Sequence, residues 1–196
     1  MDYIIKSVTC KDELEASLAL VRKVFSHLGE REDFAGEHWT EHMKKSGDLL
    51  LYAECSGEVI GIAFTHIETT ENATVGIVAV DEKCRGHGVG RELMAQTEKR
   101  AKAHGISRLT LGAAEGAENF YANLGYEGNM LIQSEEYSID DLLSFNTKYR
   151  VVGTNVYDGT VNQIFLEVPI IDRDFQHEYE RAFPGCSAGM IYGKSI

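Results

Sequence analysis

No stretch of this chain is apolar for long enough to cross a bilayer. Its uncharged apolar runs, such as LLLYA from Leu49 to Ala53, fall far below the roughly 18 residues of a membrane span, so no transmembrane helix is expected. The first ten residues, MDYIIKSVTC, lack the basic start and apolar stretch of a secretory signal, which predicts a cytoplasmic protein. The four cysteines, Cys10, Cys55, Cys84 and Cys186, form no CxxC pair. That spacing gives no disulfide framework, zinc ribbon or redox pair, and predicts reduced structural thiols. Basic residues are scarce, 19 Lys and Arg against 31 Asp and Glu for a net charge of −12. An acidic chain is not drawn to nucleic acid or to anionic lipid, and a cationic or amine partner suits it better. Internal repeats and low-complexity linkers are also missing.

What is present is a globular composition, with 43% hydrophobic and 26% charged residues over 196 positions. That length fits one compact domain, or one domain and a smaller unit, at about 100–200 residues per domain. Charge is uneven along it. Lys83 to His104 holds six Lys and Arg against two Glu, a local +4, whereas Ala113 to Thr147 holds seven carboxylates and no Lys or Arg. The first segment favours anions and the second favours cations.

Hydrophobic periodicity predicts a strand at Tyr3–Val8, then a helix from Asp12 to about Leu28 with Leu14, Leu18, Val21 and Val24 on one side. A short helix over Gly36–Lys45 comes next. Strands Leu49–Glu54 and Val59–Glu68 flank the turn at Ser56-Gly57. Thr74–Val80 is nearly all apolar, which predicts a buried strand, and it leads into DEKCRGHGVG and an amphipathic helix stopped by Gly105. Ile106–Leu111 reads as a strand, Ala117–Leu124 as a helix and Tyr126–Gln133 as a returning strand. The order implies an α+β fold with a mixed sheet and helices on its faces. A main domain is expected over residues 1–133. Residues 134–196 are expected to form a small α/β extension, with a helix Ile139–Phe145, strands Tyr149–Tyr157 and Gln163–Ile171 about the turn Asp158-Gly159, a helix Arg173–Phe183 and a last strand Ala188–Tyr192. Two roles stay open for it, a homodimer interface or a lid on the acceptor side.

Arg85-Gly86-His87-Gly88-Val89-Gly90 stands where a strand turns into a helix. Three alternating glycines remove the side chains that would keep backbone N–H groups from a ligand. The helix dipole adds partial positive charge, and Arg85 or Arg91 can add charge-assisted bonds, so the turn suits a pyrophosphate. The GxGxG spacing does not match the dinucleotide pattern GxGxxG, and GMIYGKS near the end is one residue short of a Walker loop with no helix after it.

VAVDEKCRGHGVGREL (Val78 to Leu93) and ENFYANLGY (Glu118 to Tyr126) resemble, in order and separation, two motifs of the GNAT superfamily of acyl-CoA-dependent N-acyltransferases. The resemblance covers about residues 1–133. It implies a largely antiparallel mixed sheet flanked by helices, with acetyl-CoA as co-substrate. It also implies that backbone groups near Val78 and Val80 pair with the pantetheine amides, and that Arg85, Gly86, His87, Gly88, Val89, Gly90 and Arg91 form the pyrophosphate site. Glu82 stands where a proline is common in the family, and Ala114 where many members carry a cofactor-contacting Asn. The implied activity is acetyl transfer to a primary amine, either a small cationic amine or a peptide amine, by direct attack in a ternary complex; a catalytically silent acyl-CoA-binding module is the alternative.

Such transfer needs a proton for the departing thiolate, and the resemblance puts Tyr121 beside the sulfur. A phenol of pKa about 10 is protonated at neutral pH and can donate, although Tyr121 could instead pack with Phe120. A backbone N–H near Val80 can serve the carbonyl oxygen. Glu68, Glu71, Asp81 and His66 all stand near strand ends as candidate bases, and a water chain can replace them. Cys84 has no histidine partner in sequence and is not expected to be a nucleophile. His38-Trp39-Thr40-Glu41-His42 matches H-x-x-E-H, a zinc pattern, but no third ligand can be identified. No metal is expected, and this segment is read instead as a lining of the acceptor pocket.

Overall fold

The computed structural model describes residues 1–29 and 34–196. Their contacts group the chain into two compact units, one of Met1–Thr110 with Ser195–Ile196 and one of Leu111–Lys194.

The first unit runs β1 (Ile4–Ser7), α1 (Lys11–Val24), α2 (Gly36–Ser46), β2 (Leu50–Cys55), β3 (Glu58–Ile67), β4 (Asn72–Val80), α3 (Val89–Ala103) and the start of β5 (Arg108–Gly112). Its strands lie in sequence order, antiparallel except for the parallel step from β4 to β5. Strand alternation sends β2 side chains to opposite faces. Leu50 and Tyr52 join Leu14, Leu18, Val21 and Trp39 of α1 and α2, while Leu51 and Ala53 join Val89 and Leu93 of α3. The unit is therefore a sheet with α1 and α2 on one face and α3 on the other.

The second unit runs α4 (Glu118–Ala122), β6 (Glu127–Ser134), α5 (Ile139–Phe145), β7 (Val151–Tyr157), β8 (Val161–Leu166), α6 (Arg173–Ala182) and β9 (Ser187–Ser195). Its strand order is β9-β6-β8-β7, all antiparallel. The mixed, mostly antiparallel α+β architecture agrees with the one expected.

Four local expectations change. The first helix stops at Val24 and passes into a 3-10 turn at Ser26–Leu28. β4 is not buried on both faces. Ala73, Val75, Ile77 and Ala79 are buried, while Thr74, Gly76, Val78 and Val80 are not, and the register with β3 shifts opposite Gly76. β8 ends at Leu166, three residues before Pro169, which has no N–H to continue a ladder. The unit boundary falls between Thr110 and Leu111 and not at 133, since β6 pairs with both β8 and β9 and is thereby tied to the C-terminal strands.

Candidate active site

β4 reaches α3 through a turn fixed by Asp81. Its carboxylate accepts the Lys83 N–H at 3.0 Å, its carbonyl accepts the Cys84 N–H at 2.8 Å, and Lys23 of α1 reaches it at 2.6 Å. The Lys23 bond, then the Lys83 amide, hold its carboxyl below the usual range. Asp81 is thus a capped and paired group, unsuited to take a proton from an amine. Cys84 is buried and packs with Val89 and Leu93, a structural position. Glycine is needed twice more for geometry: Gly86 and Gly88 have φ of +78° and +83°, a region open to glycine at little steric cost.

β3 also helps to seat this turn. A Cβ on Gly61 would lie 2.8 Å from Val89 Cγ1 and 3.1 Å from Leu93 Cδ1, so the absent side chain lets the first turn of α3 rest against the sheet.

Arg85 N–H is taken by the Glu82 carbonyl at 3.3 Å, and the Glu92 N–H by the Gly88 carbonyl at 3.0 Å. Between them the six amides of Gly86, His87, Gly88, Val89, Gly90 and Arg91 find no acceptor among the described residues. Unpaired donors at a helix start are an anion cradle. A Cβ built on Gly86 or Gly88 would meet nothing within 4 Å, so the space beside them is open. One expected donor drops out, since the Arg85 amide is engaged; its side chain lies near by, with Nε donating to the Val80 carbonyl at 3.4 Å.

The Asp81 N–H donates to Ile60 of β3 at 2.9 Å. Strand alternation then turns the main-chain groups of Val80 and Val78 away from β3. The β4–β5 register runs only from Asn72↔Arg108 to Thr74↔Thr110, so both valines lie on a stretch of β4 edge beyond that register.

At the other end of β4, three histidines gather around Trp39, which is fully buried. The His38 and His42 ring centroids are 5.4 Å apart and those of His42 and His66 5.1 Å. A Cβ on Gly76 would lie 3.0 Å from the Trp39 ring, so β4 is bare where the indole rests. Burial, then the neighbouring His66 and His38, push the His42 pKa down. His66 is paired through Nε2 with Glu68 at 2.7 Å. Sequence separation hid the meeting of His42 with His66, which only the packing of α2 on β3 reveals. Glu41 bonds Lys44 at 2.7 Å, and among the described residues no three His, Cys, Asp or Glu side chains converge on a metal-holding geometry.

In the second unit, Tyr121 on α4 is buried, 6% exposed. Its ring packs edge-on with Phe120 at 5.0 Å and beside Tyr192 at 5.8 Å. Burial raises its pKa to about 12, so the phenol is protonated at neutral pH. Glu118, one turn earlier, is buried and paired with Arg173 of α6.

Residues 22–137 match the family model for the acetyltransferase (GNAT) domain, a span that includes the cradle and Tyr121 and exceeds half of the chain. The chain belongs to the GNAT acetyltransferase family. An uncharacterized N-acetyltransferase of Methanocaldococcus jannaschii is 28% identical over 144 residues, 67% of this chain and 63% of that protein. The GNAT chain thus spans less than two thirds of that relative's length. A putative acetyltransferase from Pyrococcus horikoshii shares the fold with a TM-score of 0.62 at 14% identity, over 99% of this chain and 89% of that one. The PaiA N-acetyltransferase from Thermoplasma acidophilum, solved in complex with coenzyme A, gives a TM-score of 0.51 at 15% identity, over 86% of this chain and all of that one. Among the described residues of this GNAT chain, no helix is long and apolar enough to cross a membrane.

Proposed function

We propose that this chain is an acetyl-CoA-dependent N-acetyltransferase. The observation that carries the reading is the row of six backbone donors from Gly86 to Arg91 without an acceptor among the described residues. In this reading those amides, with the Arg85 and Arg91 side chains, hold the diphosphate, and the outward main-chain groups of Val78 and Val80 hold the pantetheine amides. Acetyl-CoA, when bound, supplies an activated acyl thioester. A Val80 amide serves the carbonyl oxygen as charge develops, and Tyr121 gives its proton to the departing sulfur. The acceptor is a primary amine, a small cationic amine or a peptide amine, attacking directly in a ternary complex; the carboxylate-rich segment after Ala113 supports a cationic one.

Calorimetry with acetyl-CoA, then release of free CoA across small polyamines, lysine peptides and peptide N-termini, tests this. Binding with amine-dependent release is expected. Binding without release from any amine points to a silent acyl-CoA-binding module, and absence of binding removes the cradle.

A further inference from the structure

His66 on β3 has one ring nitrogen bonded and one bare. Nε2 lies 2.7 Å from Glu68 Oε1. An ionised carboxylate only accepts, so Nε2 carries the hydrogen and Nδ1 the lone pair. Nδ1 is buried and has no hydrogen-bond partner among the described residues. A buried acceptor left unmatched is costly, and such a group in a folded protein calls for an explanation.

The neighbouring strand is irregular at this atom. Phe64 of β3 pairs with Ile77 and Thr65 with Val75, which leaves Gly76 as an extra residue in β4, and bulges of this kind re-aim a strand beside a site. Gly76 is exposed. A Cβ on it would lie 3.6 Å from His66 Nδ1, so glycine leaves no β4 side chain over the lone pair. Gly76 follows Val80 and Val78 along β4, moving away from the cradle. The titratable and charged groups facing His66 are Glu68 on its own strand and His42 on α2, with His38 and Lys45 also on α2 beside His42; β4 presents Thr74, opposite His66 in register, and Gly76. Burial, then His66 and His38, push the His42 pKa down, so His42 is an uncharged neighbour at neutral pH and does not repel a proton on His66. The other candidate bases are placed differently: Asp81 is held by Lys23, and Glu71 is exposed in the turn between β3 and β4.

We infer that His66 is the base that deprotonates the acceptor ammonium, with Glu68 as its positioning residue and proton outlet. This rests on the acetyltransferase reading above. An ammonium N–H bond breaks, its electron pair stays on the nitrogen, and the proton bonds to Nδ1. The Nε2 proton passes to Glu68, whose side chain is 51% exposed and gives it to water. The neutral amine then attacks the thioester carbonyl. A lysine-like ammonium has a pKa of about 10.4, so at neutral pH nearly all of the acceptor arrives protonated and needs this step.

Amine-dependent release of free CoA is measured from about pH 7 to about pH 10 with spermidine and with a lysine peptide, less the enzyme-free rate, for native protein, His66→Gln and Glu68→Gln. Calorimetry with acetyl-CoA and circular dichroism control for cofactor binding and folding. At neutral pH His66→Gln is expected to lose about a hundredfold in kcat/KM for the amine, with the acetyl-CoA Kd unchanged. Most of that loss is expected to be regained by about pH 10, where free amine exists without a base. Gln at position 68 can donate to Nε2 and so shift the hydrogen to Nδ1; Glu68→Gln is expected to lose about tenfold in kcat with the amine KM little changed. A His66→Gln protein as active as the native one at neutral pH overturns the inference, and so does a loss that is equal at both ends of the pH range, which marks a packing role. Should His66→Gln fail to fold, Glu68→Gln decides, and full activity in it overturns the dyad. A native protein that binds acetyl-CoA yet releases no CoA with either amine overturns the transferase reading and this inference together, whereas the variant outcomes overturn the base alone.

Discussion

The hydroxyls of Thr74 and Thr110 lie 3.1 Å apart, one on β4 and one on β5, at the last rung those strands share. Beyond that rung β4 continues for six residues to Val80 outside the β5 register. The two threonines thus tie the point where the parallel pair ends. Replacing Thr110 by Val keeps the shape and removes one hydroxyl. A loss of about 1 kcal/mol is expected, within the usual net worth of such a bond. A double-mutant cycle with Thr74→Val in urea should return a coupling of about 0.2–1 kcal/mol; additive losses would mean that the hydroxyls do not cooperate.

The cradle is tested by two variants that differ in how they perturb the backbone. Gly88 has φ +83°, so Gly88→Val both strains the turn and crowds the donors. Two lost bonds to a charged group at about 1.5–3 kcal/mol each predict a rise in the acetyl-CoA Kd of at least about a hundredfold. Arg85 has φ −66°, where alanine is unstrained, so Arg85→Ala removes the charge and the Nε bond to the Val80 carbonyl without straining the turn. About tenfold weaker binding, with a shallower dependence on salt, is expected by calorimetry. Unchanged binding in both, with intact far-UV spectra, would show that the diphosphate lies elsewhere.

Tyr121→Phe keeps the ring among Phe120 and Tyr192 and removes the proton. A kcat loss of about a hundredfold or more is expected for a general acid, with the KM for acetyl-CoA little changed. Because burial raises the Tyr121 pKa to about 12, the phenol stays protonated through the neutral and mildly alkaline range. The wild-type rate should accordingly show no fall from tyrosine ionisation until pH approaches that value. Full activity in Tyr121→Phe would leave the residue as packing only.

Burial and the facing imidazoles of His38 and His66 lower the His42 pKa against the weaker pull of Glu68; Lys45 also lowers it. The folded state then binds its proton less readily than the unfolded chain. This contribution to stability is present above the ordinary histidine pKa of about 6.5 and is lost as pH falls through the lower folded value. Urea midpoints measured from pH 7.5 downward should fall more steeply for the native chain than for His42→Gln. Parallel pH dependences would rule out His42 as the titrating group.

Glu118 is 7% exposed and its partner Arg173 more open. Removing Arg173 strands a buried carboxylate, whereas removing Glu118 frees a cation that water can reach. Arg173→Ala should therefore destabilise the chain by about 3 kcal/mol, and Glu118→Gln by less, in denaturant titrations. Equal effects would mean that the burial difference between the two partners does not set the cost.

Much of this molecule is legible in local signals. The helix Ile139–Phe145 falls within its expected bounds because Ser138 and Asp141 form a reciprocal capping box. The β4–loop–α3 element is legible because alternating glycines before an amphipathic run have few structural uses. Periodicity makes β8 too long because the apolar run continues to Ile171, whereas Pro169 stops the ladder. Composition makes β4 doubly buried because it does not say how much of a sheet face a helix covers.

Periodicity and turn residues act over a few positions, so the sequence alone determined the strand and helix order, the glycine turn and the charge contrast on either side of Ala113. Tertiary structure decided which polar groups remain available. Lys23 captures Asp81 from 58 positions away, removing one candidate base, and His42 meets His66 only when α2 packs on β3. Gly61 lets the first turn of α3 rest against the sheet, and the six amides after Arg85 find no acceptor among the described residues. Such outcomes depend on which distant groups folding brings within bonding distance, and no local pattern encodes that.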